Sequence, residues 1–135
     1  MEAGDLQKAM QKIPKEHRKL LRGYNFRTQG GNTLVGDGEH IGSNDMNKKK
    51  IIIAAPWNYG REFALLHEIG HLVWASFVAP HKDKVQQWQK ITKATKKKLR
   101  QNAEELFCHA YANAYAKNKI TVHDHSEWGK FIKNL

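Results

Sequence analysis

Short helical segments at the start, a β-branched run in the middle and several helical patterns after it predict an α+β fold. The first observation is the pair of segments at 6–12 and 14–21, with Leu20 and Leu21 turned inward. The second is Ile51-Ile52-Ile53-Ala54-Ala55, apolar, β-branched and stopped by Pro56. The third is a series of apolar stripes at helical spacing from residue 60 to the end of the sequence. The 135 residues predict a single domain over 1–135, with no repeat or linker.

Taken in order, Asp5 is placed to cap the first helix, and Pro14 suits the first turn of the second. Tyr24-Asn25-Phe26-Arg27 alternates and reads as a short strand. Gln29-Gly30-Gly31-Asn32 is a turn cluster. Thr33-Leu34-Val35 and the surroundings of Ile41 are further strand candidates. The run Ile51 to Ala55 is the strongest strand, and an extended substrate chain would pair with its edge if that edge is free. A helix follows from Tyr59 or Gly60 to about Phe77, with Pro80 as its stop. Asp83 caps the next, which carries Val85, Trp88 and Ile91. Residues 93–100 are its basic continuation or a connection. The segment 102–117 has the stripe Ala103, Leu106, Phe107, Ala110, Tyr111, Ala114, and Ser126 caps a last helix bearing Trp128, Phe131 and Ile132.

Lysine and arginine number 23 against 13 acidic residues, a net charge of +10. The excess gathers at Lys48-Lys49-Lys50 and from Lys93 to Arg100. Such faces attract nucleic acid or an acidic partner weakly, or serve only as solvated surface. No zinc-finger spacing, aromatic RNA-binding signature or glycine-rich phosphate loop accompanies them. The single cysteine, Cys108, rules out an intramolecular disulfide. There is no signal peptide and no membrane span in view, so the expected location is cytoplasmic or virion-associated.

The chemistry is concentrated in His67-Glu68-Ile69-Gly70-His71. On a helix, residues four apart share a face, so His67 and His71 can hold one tetrahedral metal. Glu68 can reach the open coordination position and take a proton from a water there. A five-residue pattern can arise by chance, but the flanks Leu65, Leu66, Leu72 and Val73 are apolar and predict burial. Buried imidazoles and a carboxylate without partners are costly, and a metal removes that cost. Gly70 in a helix interior costs up to about 1 kcal/mol against alanine, which points to close approach of another element. The motif points to one Zn2+ per chain and a zinc-dependent peptide hydrolase, with Glu68 as general base and a polypeptide as substrate.

A catalytic zinc needs a third protein ligand. The downstream candidates are Glu104, Glu105, Cys108, His109, His123, Asp124 and His125. Cys108 reads as a small core residue. The stretch Glu105-Leu106-Phe107-Cys108-His109-Ala110-Tyr111-Ala112 resembles the glutamate helix of gluzincin-type metallopeptidases. The likeness is to the group of the anthrax lethal factor protease domain and the Pro-Pro endopeptidases. It covers roughly residues 51–116 and rests on the two short motifs. It implies a small zincin-like fold, with a short mixed sheet on the active-site helix and a second ligand-bearing helix. It also implies His67, His71 and Glu105 as metal ligands. The residues agree: Glu105 adjoins the apolar stripe, while Glu104, its neighbour round the helix, faces outward. His109, one turn beyond, is a group that orients a ligand or a substitute ligand. The sequence departs from the group in having Cys108 for alanine, His109 where an acid is common, and Lys98 where the oxyanion-stabilising tyrosine stands. That task then falls to Lys98, Tyr111, Tyr115, His109 or His123.

A second class of function is a catalytically weak zinc-containing module whose basic surface binds nucleic acid or a phage or virion partner. Salt-sensitive binding independent of any cleavage would mark it. The presence of Glu68 weighs for the hydrolase, because a purely structural zinc needs no base.

Overall fold

The structure, a computed structural model, describes residues 3–22, 24–29, 42–45, 50–54, 60–99, 102–116 and 126–135. Helices α1 (Ala3–Lys12) and α2 (Lys15–Arg18) open the chain, and a 3-10 turn at Lys19–Leu21 extends α2. Helix α3 (Arg61–Val73) runs into a π-helical turn at Trp74–Val78. Then come α4 (Lys82–Leu99), α5 (Ala103–Tyr115) and α6 (Ser126–Lys133). No helix among the described residues is long and apolar enough to cross a membrane.

The core is built on α3. Its residues Phe63, Ala64, Leu65, Leu66, Ile69, Leu72 and Val73 are all buried. Helix α5 is its main packing partner, and α1 packs on it as well. Ala9 and Ile13 of α1 and Leu21 of the 3-10 turn join the same cluster. Gly60 starts α3 at φ +92°, a backbone conformation that a side chain disfavours. At the far end the Ala79 N–H donates to the Trp74 carbonyl, 2.8 Å away, closing the wider turn, and Pro80 follows.

Trp88 ties the C-terminal helices together. Its side chain is fully buried, and its indole N–H donates to the Ala103 carbonyl at 2.8 Å. The rings of Phe107, Trp128 and Phe131 surround it, with centroids 5.5, 5.7 and 5.2 Å away. Truncating such a residue to alanine costs about 3–5 kcal/mol. The stretch from Lys93 onward continues α4 as helix to Leu99.

The expected fold class is corrected by this architecture. Every residue whose side chain is described lies in a helix or flanks one, and the described core is drawn wholly from helices. Over the residues whose side chains are described the fold is helical, which corrects the α+β expectation. The physical reason is that the apolar stripes of α1 and α5 pack on α3 while α4 and α6 pack on α5, so helix-on-helix packing fills the described core. A β-branched run favours extended backbone locally but does not decide which layer carries the core.

Among the described residues there are three short strands, β1 (Asn25–Gln29), β2 (Gly42–Asp45) and β3 (Lys50–Ala54). β3 is the middle one, parallel to β1 and antiparallel to β2. With both edges paired it has no free ladder for an added substrate strand, so the pairing expected at 51–55 does not hold. Asp5 lies inside α1, which begins at Ala3, and does not cap it. The strand candidates at 33–35 and Ile41 lie outside the described residues, as do Lys48, Lys49 and Arg100.

Candidate metal centre

Two helices meet at the motif, and the meeting depends on a glycine. A β-carbon added to Gly70 would stand 3.0 Å from Cα of Cys108 and 3.3 Å from its Cβ. The bare glycine backbone therefore lets α5 approach α3 at this level, as the sequence implied. Cys108 is the small residue on the other side of that crossing. It is fully buried, and burial and the neighbouring carboxylates push its thiol well up, so it stays protonated and packs as a core residue.

The crossing lays the first turn of α5 against the last turns of α3. Asn102 caps α5, its side-chain oxygen accepting from the Glu105 N–H at 2.8 Å. Glu104 and Glu105 thus sit in the first turn, where the partial positive charge of the helix end favours carboxylates. In Asn102-x-x-Glu105 a glutamate can turn back onto the cap as in a capping box. Here the Glu105 carboxylate instead reaches across to α3.

Glu105 bridges the two motif histidines. Its Oε2 is 3.4 Å from Nε2 of His67, and its Oε1 is 3.4 Å from Nε2 of His71. These separations are long for hydrogen bonds, which cluster between about 2.7 and 3.2 Å. They match co-ligands: donors at 2.0–2.1 Å from a tetrahedral zinc stand roughly 3.3–3.4 Å apart. The two imidazole rings lie at 79° with centroids 5.3 Å apart. His67 is buried, and its Nδ1 has no hydrogen-bond partner among the described residues.

Glu68 is also buried. One of its carboxylate oxygens and one ring nitrogen each of His67 and His71 lie within 4.8 Å of one another. A second group within that distance is formed by His67, Glu105 and His109. His109 is buried, its ring centroid is 4.5 Å from that of His67, and its Nε2 is 3.9 Å from Oε2 of Glu105.

Glu104, expected to face solvent, is half-exposed and engaged: its Oε2 lies 2.6 Å from Nδ1 of His71. An ionised carboxylate only accepts, so Nδ1 of His71 is the donor and its Nε2 is the atom offered to a metal. The adjacent acids Glu104 and Glu105 were the only trace of this arrangement in the sequence.

Three carboxylates therefore converge on the imidazoles, and the site calls for a cation. Burial of His71 opposes its charge, but contacts with Glu105 and Glu104 and the charge of Glu68 outweigh this, and its pKa is pushed up to about 9. Contacts with His67 and His71 hold the Glu105 carboxyl well below the usual range, against the opposing effect of burial. Imidazole and carboxylate donors of this kind suit a divalent cation such as zinc, and the donor sets that come within 4.8 Å of one another are His67, Glu68 and His71, and His67, Glu105 and His109.

Other sequence candidates stand elsewhere. Tyr111 is fully buried, and its hydroxyl lies 3.0 Å from Nδ1 of His17, a histidine that the motif reading overlooked. The Tyr115 ring packs on Tyr111 at 5.0 Å. Tyr111 is thus committed to a core contact and is removed from the groups available to an oxyanion. The side chain of Lys98 and residues His123, Asp124 and His125 lie outside the described residues. No family model, curated protein or solved structure matches the chain.

Proposed function

We propose that the protein is a zinc-dependent peptide hydrolase of the gluzincin kind, with His67, His71 and Glu105 as zinc ligands and Glu68 as general base. The observation that carries this reading is the Glu105 carboxylate spanning both Nε2 atoms at 3.4 Å, the spacing of tetrahedral co-ligands. A bound zinc supplies a water of lowered pKa and a Lewis acid for the scissile carbonyl. Glu68 takes the proton of the attacking water and hands it to the leaving amine. Its burial beside two imidazoles keeps that proton within the site. Glu104 fixes the tautomer of His71, which leaves Nε2, on the side of Glu105, as the atom offered to a metal. The substrate is a polypeptide, and β3 is not its pairing edge because both sides of that strand are taken.

The experiment is zinc analysis and peptide-library cleavage on the wild-type chain, Glu68→Gln and Glu105→Ala. Glu68→Gln is expected to keep its zinc while its cleavage rate falls about a hundredfold or more. Glu105→Ala is expected to lose zinc and activity together. Equal cleavage by wild type and Glu68→Gln would sink the mechanism.

A further inference from the structure

His109 occupies a place that the three-ligand scheme leaves without a role. It lies one helical turn beyond Glu105 on α5, and both side chains face α3. Oε2 of Glu105 faces two imidazoles, with Nε2 of His67 at 3.4 Å and Nε2 of His109 at 3.9 Å. One donor atom each from His67, Glu105 and His109 falls within 4.8 Å of the others. The His109 ring meets that of His67 nearly edge-on, at 65° and 4.5 Å between centroids.

We propose that His109 is a fourth donor to the zinc, occupying in the resting protein the position that a water takes during hydrolysis. This rests on the zinc reading above and adds regulation to the same site. Neutral imidazole is the commonest protein ligand for zinc. The His109 nitrogen stands slightly farther from Oε2 of Glu105 than that of His67 does, and the three residues form one group of possible donors. A closed set of four protein donors binds zinc more tightly and leaves no open position. His109 therefore guards zinc in the resting protein.

The test uses the full chain with zinc as the probe. His109→Phe keeps a ring packed against Phe63, whose centroid is 6.1 Å from that of His109, and removes both ring nitrogens. Zinc affinity is measured by chelator competition, and the number of imidazoles on zinc by X-ray absorption. Loss of a donor is expected to weaken binding about tenfold or more and to reduce the imidazole count from three to two. His109→Gln, which keeps a polar side chain without the imidazole, is expected to reduce the imidazole count in the same way and serves if the phenylalanine variant does not fold. Unchanged affinity and imidazole count in a folded variant would overturn the role of His109 and leave the zinc reading standing. A wild-type chain that binds no zinc would overturn both.

Discussion

Glu104 accepts a hydrogen bond from Nδ1 of His71 at 2.6 Å, on the opposite edge of the ring from Nε2, which faces Glu105 at 3.4 Å. Two consecutive glutamates thus address the two nitrogens of one imidazole, Glu104 at Nδ1 and Glu105 at Nε2. Losing a support of this kind typically lowers metal affinity about 10- to 100-fold. Glu104→Ala is expected to weaken zinc binding within that range with little effect on folding, because its side chain is 43% exposed. Chelator competition on folded Glu104→Ala decides it, and wild-type affinity would assign the contact no role in binding.

The proton on His71 competes with the metal. In the metal-free chain its pKa is about 9, above the ordinary 6.5, and zinc needs the neutral ring. Zinc affinity is therefore expected to rise with pH up to about 9, with close to one proton released per zinc near pH 7. Calorimetry in buffers of differing ionisation enthalpy counts that proton. The sign for stability follows: a raised folded pKa stabilises fully below about 6.5, and this contribution is lost as pH rises through 9. The metal-free chain should therefore lose thermal stability over that window.

At the Gly70–Cys108 crossing, alanine gains helix propensity of up to about 1 kcal/mol but presses a methyl group on backbone. Overpacking of this kind costs about 1–3 kcal/mol, so Gly70→Ala is expected to be destabilising on balance and Gly70→Val clearly more so. The pressure also moves the first turn of α5, so zinc affinity should fall with stability. Denaturant melts and zinc titrations on both variants check this. A Gly70→Val chain with wild-type stability and zinc affinity would count against a tight crossing.

His17 is buried between Phe77 and Tyr111, with ring centroids 5.2 and 5.6 Å away. Burial lowers its pKa, opposed by the charge of Glu16. A lowered folded pKa means that stability is full above about 6.5 and declines as pH falls through the folded value. Melting temperature is expected to drop between pH 7 and 5, and His17→Phe to flatten that dependence. An equal slope in the variant would place the titrating group elsewhere.

The sequence by itself determined the spacing of His67, Glu68 and His71, because a helix puts residues four apart on one face wherever it is packed. It determined that Gly70 sits at a close approach, since an interior glycine is costly without a compensating contact. It also placed an acidic first turn on α5 and singled out Glu105 as the residue nearest the apolar stripe. The tertiary structure alone decided how Glu104 and Glu105 divide their work, because the crossing of α5 over α3 sets which carboxylate meets which imidazole nitrogen. It drew Tyr111 away from the site and onto His17, a partner 94 positions distant in sequence. It also made the fold helical, against the α+β reading. Periodicity reports which face of each element is apolar, but only assembly decides which faces meet, and here the stripes of α1 and α5 met α3 while that of α6 met α4 and α5.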